Sequence, residues 1–88
     1  MSNAHLQSLH APDYQLFIEL LVRTRKNLAI TQRELAKRLG KPPSFVGKFE
    51  KCERRLDLIE FLSICRAMHV NAALFLENLE QLVQKRHA

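Results

Sequence analysis

Side chains with a permanent positive charge cluster in just over a third of this 88-residue chain. Residues 23–55 contain eleven lysines and arginines against three glutamates, a net charge of +8, whereas the rest of the chain is net acidic at −3. The basic residues of this segment are Arg23, Arg25, Lys26, Arg33, Lys37, Arg38, Lys41, Lys48, Lys51, Arg54 and Arg55. Ammonium and guanidinium groups concentrated in this way attract polyanions, either nucleic acids or acidic membrane surfaces.

Cysteine and histidine side chains could bind a metal ion. Cys65 and His69 are spaced i, i+4, and Cys52 or another histidine would have to supply a third ligand. A cysteine on an apolar helical face is more often part of a core, so we expect no metal and no other cofactor. No nucleophile and base are arranged for catalysis and no phosphate-binding loop is recognisable, which predicts that the protein is not an enzyme.

Length and composition favour one small helical domain. The chain is 47% apolar and contains two glycines and three prolines. Two cysteines are too few for a disulfide framework, no secretory signal is recognisable, and no apolar run approaches the ~18 residues of a membrane helix. We therefore expect a cytoplasmic protein without membrane contact. Ser2-Asn3-Ala4 resembles the remnant of an expression tag, so we assign residues 1–10 to a tag remnant and flexible N-terminus and residues 11–88 to the domain.

Helix-start signals divide this domain into five predicted helices. Prolines and short polar side chains, which favour the first helical positions, occur at Pro12-Asp13, Thr31, Pro42-Pro43, Asp57 and Asn71. The second start is the most specific, because Thr31 and Glu34 fit a Thr-x-x-Glu capping box. Gly40 can adopt the left-handed conformation that ends this short helix after Leu39. Apolar residues recur at helical spacing after every start, which predicts an all-α domain.

The joint between the second and third predicted helices is the most informative local feature. Only three or four residues separate these helices, and so short a joint forces the steep crossing of a helix-turn-helix. Ala36 is small where the two helices would cross, and Val46 and Phe49 would hold the third helix to the core. The spacing therefore predicts a helix-turn-helix within residues 31–50.

The segment TQRELAKRLGKPPSFVGKFE, residues 31–50, resembles the Cro/repressor-type helix-turn-helix family, often called the XRE family. The resemblance continues through Glu53-Arg54-Arg55-Leu56-Asp57 and Phe61-Leu62, and covers roughly residues 13–70. It implies a compact five-helix, repressor-like DNA-binding domain. Together with the basic segment, it implies a sequence-specific regulator of transcription that binds double-stranded DNA and acts as a repressor.

The resemblance assigns four residues to the bases of DNA. In this family the second helix of the motif lies in the major groove, with its N-terminal part toward the base edges. The matching positions are Pro43, Ser44, Gly47 and Lys48. Lys48 can donate to guanine O6 and N7, and Ser44 can donate or accept at most bases. Pro43 stands where a polar residue is common and offers only apolar contact, for instance to a thymine methyl group.

Further residues are assigned to DNA phosphates and to an internal ion pair. Gln32 resembles the family glutamine that meets a phosphate at a helix N-terminus. The basic residues that would flank it are Lys41, Lys51, Arg54 and Arg55, although any one of them could be a solvated surface charge. Arg25 and Glu50 occupy positions where relatives place a partly buried, structural ion pair.

Two turn positions depart from the family pattern. Ala29 and Cys52 fall where relatives usually carry glycine. A residue other than glycine costs roughly 1–2 kcal/mol in the left-handed conformation. The sequence leaves open whether these two residues adopt that conformation or the turns differ.

The fifth predicted helix has apolar residues on more than one flank. Leu76, Leu79 and Val83 could seal the domain, which leaves an outer set that we predict as a homodimer interface: Leu74, Phe75 and Leu82. A dimer would match two DNA half-sites spaced about 34 Å apart. The alternative function is that of an antitoxin or adaptor module, in which the C-terminal helix binds another protein.

Overall fold

The computed structural model describes residues 9–88, and within that range the chain forms five α-helices and no strand. The helices are α1 (Pro12–Asn27), α2 (Gln32–Leu39), α3 (Ser44–Glu50), α4 (Leu58–Met68) and α5 (Ala72–His87). The predicted all-α, five-helix domain is confirmed, and each helix begins at or directly after its start signal. The predicted tag remnant and flexible segment lies almost wholly in residues 1–8, outside the described residues. Leu9 packs against the core.

Side-chain caps fix the starts of α2 and α4. The Thr31 hydroxyl accepts the Glu34 N–H at 3.0 Å, but the Glu34 carboxylate pairs with Arg38 Nε at 3.1 Å instead of returning to Thr31. A complete capping box begins α4. There Asp57 Oδ1 accepts the Glu60 N–H at 2.7 Å, and Glu60 Oε1 accepts the Asp57 N–H at 3.0 Å. The reciprocal box therefore belongs to α4, where it fixes the Glu60 side chain as well as the helix start.

The first four helices end in the same way, with a residue in the left-handed conformation. These residues are Ala29, Gly40, Cys52 and His69, with φ angles of 59°, 67°, 59° and 58°. At each end this residue donates its N–H to the carbonyl three residues back, and the next N–H reaches the carbonyl five residues back. Ala29 and Cys52, the two positions that the sequence left open, are thus left-handed. Only Gly40 adopts this conformation without a steric cost.

The core takes residues from every helix. Buried side chains on α1, α2 and α3 meet those of α4 along the centre of the domain, and Phe75 extends the core to α5. The rings of Phe17, Phe61 and Phe75 contact one another at centroid distances of 5.1–6.2 Å. Such aromatic contacts add to the free energy gained by burial. This cluster joins α1, α4 and α5.

The position of Phe75 corrects the predicted homodimer interface. Phe75 is only 4% exposed and belongs to the aromatic cluster, so its assignment to an outward interface is wrong. Leu82 is half-buried against the core, whereas Leu74 and Leu76 are 58% and 43% exposed. The inner face of α5 is therefore centred on Phe75, and Leu74 and Leu76 flank it on the outside.

None of the helices in residues 9–88 is by itself long and apolar enough to cross a membrane. Only α4 and α5 taken together have such a length and composition, and this pair is bent by 115° at its break.

The left-handed turn at Ala29 predicts a stabilising substitution. Ala29 is exposed, so Ala29→Gly removes the steric cost of the left-handed conformation without loss of packing. After allowance for the greater entropy of glycine in the unfolded chain, we expect the free energy of unfolding to rise by about 0.5–1 kcal/mol. Urea denaturation measures the change. Ala73→Gly, at an exposed position in the first turn of α5, is the control and should lower stability. A loss of stability in Ala29→Gly would contradict the steric cost inferred for Ala29.

Candidate nucleic-acid interface

The helices α2 and α3 cross at a joint of four residues, 40–43. Ala36 on α2 and Val46 on α3 are 1% and 0% exposed, so the two helices meet through small or compact side chains. Phe45 and Phe49 bury the rest of the inner face of α3, and their rings lie 5.6 Å apart. Because these apolar side chains fix one face of α3, the opposite face is held toward solvent.

The outward face of α3 carries the four predicted base-facing residues. Pro43, Ser44 and Lys48 are exposed, and Gly47 is half-buried. Pro43 is the N-cap residue of α3, and the other three lie in the helix itself. A methyl group added at Gly47 would lie 3.5 Å from Gln32 Oε1, an ordinary van der Waals distance. Packing within the domain therefore does not require glycine at this position.

A buried ion pair connects α1 to the end of α3. Arg25 donates from Nε and Nη2 to the two carboxylate oxygens of Glu50, at 2.7 and 2.9 Å. The two side chains are only 8% and 7% exposed. Arg25 Nη1 also donates to the carbonyl oxygen of Ile30 at 2.8 Å. Two parallel hydrogen bonds give this pair a defined geometry, and loss of either partner would leave a charge buried without its counter-charge.

Gln32, predicted to contact a phosphate, takes part in the same network. Its Nε2 donates to Glu50 Oε1 at 2.8 Å, which joins the start of α2 to the end of α3. The remaining side-chain oxygen faces Gly47. Gln32 is exposed, so it lies at the surface between α2 and the outward face of α3 while its amide nitrogen is bound internally.

The other predicted phosphate contacts surround the base of α3. Lys41, Lys51 and Arg55 are exposed. Lys41 Nζ lies 5.4 Å from the centroid of the Phe45 ring, and Arg55 Cζ lies 4.5 Å from that of Tyr14. In each contact the charged group itself lies over an aromatic ring, and both cations remain at the surface of the domain.

Arg54 is bound internally to a greater extent than the sequence suggested. Its guanidinium donates to both oxygens of Glu60, at 3.0 and 2.6 Å, and lies 5.0 Å from the centroid of the Phe45 ring. The Arg54 side chain is 42% exposed, and that of Glu60 is 21% exposed. Hydrogen bonds from Arg54 and from the Asp57 N–H hold the pKa of the Glu60 carboxyl below its usual value. The pair is therefore ionised at neutral pH.

Two residues that support the interface were not assigned from the sequence. Glu60 could have been found, because Asp57-x-x-Glu60 is a capping-box pattern. Tyr14 had no such signal: its hydroxyl accepts the Leu56 N–H at 3.1 Å from a residue distant in sequence, and Arg55 lies over its ring. Burial raises the pKa of the Tyr14 hydroxyl, so it remains protonated.

Cys52, Cys65 and His69 do not form a metal-binding group in the described part of the chain. Cys52 and Cys65 are buried, and burial raises the pKa of both thiols. His69 lies at the exposed left-handed turn after α4. Among residues 9–88, no group of three histidine, cysteine, aspartate or glutamate side chains is placed to hold a metal ion.

Two helices crossing at a short joint, with the inner face of the second buried and its outer face polar and basic, define a helix-turn-helix DNA-binding domain. A family model described as helix-turn-helix matches residues 21–75. A solved structure of an XRE-family like protein from Pseudomonas syringae pv. tomato str. DC3000 is 46% identical, with a TM-score of 0.80, and the alignment covers 92% of this chain and 98% of that chain. No curated protein matches the sequence.

The chain belongs to the XRE family of helix-turn-helix proteins, which confirms the resemblance found in the sequence. Helix-turn-helix domains of this family bind double-stranded DNA. Family membership thus makes the chain a DNA-binding regulator of transcription.

We expect the stability effects of substitutions at Arg25 and Glu50, 25 positions apart in the sequence, to be strongly coupled. Arg25→Ala or Glu50→Ala alone should lower the free energy of unfolding by about 3–5 kcal/mol, because each leaves a buried charge without its partner. The double variant should lose less than the sum of the two by about 1–3 kcal/mol. Urea denaturation of all four proteins measures this coupling.

A second cycle on an exposed pair provides the control. Glu34 and Arg38 form an i, i+4 pair with side chains 44% and 36% exposed, for which we expect a coupling of only about 0.3–0.5 kcal/mol. A coupling at Arg25–Glu50 no larger than this would show that the buried pair has no special structural role.

Proposed function

We propose that the protein is a sequence-specific repressor that binds double-stranded DNA as a homodimer, with α3 in the major groove. One observation carries the proposal: α3 buries its apolar face in the core and presents Ser44 and Lys48 on the opposite, exposed face beside a group of exposed cations. Repression requires only that the bound domain occupy a promoter and exclude other proteins. Regulators of this family are in general not enzymes, and the proposed function involves no catalysis.

The base contacts proposed for α3 are few. Lys48 would donate to guanine, Ser44 would donate to or accept from a base edge, and Pro43 would offer only an apolar surface. Gly47 would let the DNA approach the helix backbone, which agrees with the absence of a packing reason for glycine there. Because so few side chains read bases, we propose that half-site spacing and DNA shape add to the specificity.

Phosphate contacts would supply most of the affinity. Lys41, Lys51 and Arg55 are exposed around α3, and Gln32 lies at the start of α2. Each cation that neutralises a phosphate releases condensed counterions, so affinity should fall steeply as the salt concentration rises. Within a cell, such binding places the protein where the chromosome is, in the cytoplasm.

Substitutions at Lys48 and Lys51 should have different effects on DNA binding. We expect Lys51→Gln to weaken binding to all sequences and to lower the slope of log K against log salt by about 0.9. Lys48→Gln should cost about 1–3 kcal/mol on the sequence selected from a random duplex pool and relax the preference at one base pair. Fluorescence anisotropy over a salt series measures both effects.

A matched control lies far from the proposed interface. Lys85 is an exposed lysine in the last turn of α5, so Lys85→Gln should leave the salt slope and the base preference close to those of the unmodified protein. Wild-type binding that ignores both salt and sequence would refute the proposed function.

The homodimer would form through the exposed flank of α5 that carries Leu74. Leu74, a residue predicted at the interface, is 58% exposed, and Leu76, on the opposite flank of Phe75, is 43% exposed. Exposed apolar side chains on one helix commonly mark an interface, and a two-fold dimer would match two half-sites about 34 Å apart. Leu82, half-buried against the core, would lie at the edge of this interface.

Substitution of Leu74 tests the dimer. Leu74→Gln should shift a dimeric protein toward monomer in analytical ultracentrifugation, whereas Ile59→Gln, at an apolar residue 68% exposed on α4, should not. A strict monomer at high concentration, with and without DNA, would exclude the homodimer. A different protein bound through Leu74 and Leu76 would instead favour the antitoxin or adaptor function.

A further inference from the structure

We propose that Arg54 positions the DNA-reading helix α3 against α4, and that it does so as a bound pair with Glu60 and not as a contact to DNA phosphate. The inference rests on the proposed function, because it assigns the role of one residue in the proposed DNA interface. It concerns the part of α3 that would meet the bases. It replaces the assignment of Arg54 that the sequence suggested.

The capping box at the start of α4 fixes the position of Glu60. Glu60 lies in the first turn of α4, where its N–H donates to Asp57 and its own carboxylate accepts the Asp57 N–H. The capping box therefore orients this carboxylate through contacts that do not involve Arg54. Hydrogen bonds from Arg54 and from the Asp57 N–H hold the pKa of this carboxyl below its usual value, so both members of the pair are charged.

Hydrogen bonds to Glu60 fix the position of the Arg54 guanidinium. Its Nη1 and Nη2 donate to different oxygens of the Glu60 carboxylate, at 3.0 and 2.6 Å, and Nη1 also donates to the Arg55 carbonyl at 3.1 Å. A guanidinium that donates to both oxygens of a carboxylate has a defined plane. That plane lies over the Phe45 ring, with 5.0 Å from Arg54 Cζ to the ring centroid.

Phe45 connects the Arg54–Glu60 pair to the residues of α3 that are proposed to face the bases. Phe45 is the second residue of α3, is 8% exposed, and follows Ser44 directly. Because Arg54 lies over the buried Phe45 ring, it restricts the first turn of α3, which also contains Ser44. The chain of contacts thus runs from the start of α4 through Glu60 and Arg54 to the start of α3.

The salt dependence of DNA binding distinguishes a positioning role of Arg54 from a contact between Arg54 and a phosphate. Arg54 and Glu60 neutralise each other, so the doubly neutral variant Arg54→Gln/Glu60→Gln has the same net charge as the unmodified protein. If Arg54 contacts a phosphate, this variant should lower the slope of log K against log salt by about 0.9. If Arg54 positions α3, the slope should change by less than about 0.3, well below the effect of one phosphate contact.

The experiment compares the double variant with Lys51→Gln on two duplexes, the sequence selected from a random pool and a scrambled one. We expect the double variant to keep the salt slope and to reduce the preference for the selected sequence by about tenfold, the loss of one base contact. Lys51→Gln should do the reverse, with a lower slope and an unchanged preference. A lower slope with an unchanged preference in the double variant would overturn the proposal.

A conservative variant gives an independent readout. Arg54→Lys keeps the charge but lacks the planar fork, so a lysine can replace a phosphate contact more readily than it can replace the pair with Glu60. We expect Arg54→Lys to retain the salt slope and to lose base preference as the double variant does. Full recovery of affinity and preference by lysine would contradict a positioning role.

A measurement without DNA distinguishes failure of this inference from failure of the proposed function. In nuclear magnetic resonance spectra of the free, folded protein, the double variant should shift the amide resonances of Ser44, Phe45 and Val46, while circular dichroism shows an unchanged helix content. Unchanged resonances in α3 would refute positioning even if the protein binds DNA. Shifted resonances in a protein that ignores DNA would refute the proposed function alone.

Discussion

The buried Arg25–Glu50 ion pair is the constraint on which the arrangement of α1, α2 and α3 depends. It ties the last turn of α1 to the last residue of α3, and Gln32 adds the first residue of α2 to the same carboxylate. The helix α3 has only seven residues, too few to be stable alone in water. Its conformation must therefore come from its contacts. Glu50 fixes its C-terminal end, and Phe45 fixes its N-terminal end under Arg54.

The positive charge of residues 23–55 is divided between structure and surface. Arg25 is buried in an ion pair, Arg38 binds Glu34 and the Ala67 carbonyl, and Arg54 binds Glu60. The lysines of the helix-turn-helix and the loop after it remain exposed. The three cations in these ion pairs are all arginines, whose planar guanidinium suits paired hydrogen bonds to carboxylates, whereas Arg23, Arg33 and Arg55 are exposed as the lysines are. A count of basic residues along the sequence thus overstates the charge that is free to meet a polyanion.

The sequence predicted the elements whose signals are local. Thr31, Gly40 and Asp57 act within one helical turn of themselves, so the helix boundaries they specify agree with the structure. Features that depend on distant contacts were not predictable in this way. Phe75 is buried because two other helices bring aromatic rings to it, and in α4 the apolar Leu58 is 64% exposed while Ile64 is buried. Helical periodicity shows which side of a helix is apolar. Which residues of that side are buried most deeply depends on how the helices pack against one another.

The left-handed turns without glycine lower the stability of the domain, and stability in turn bears on the abundance of a protein in cells. A steric cost of about 1–2 kcal/mol at each such turn is a substantial part of the roughly 5–15 kcal/mol that stabilises a small domain. In cells the unfolded fraction is removed by proteolysis, so changes of this size alter abundance several-fold. Ala29 and His69 lie at the ends of α1 and α4, outside α3. Occupancy of an operator depends on concentration as well as affinity, so mutation at these turns can retune a promoter while the DNA-reading surface stays the same.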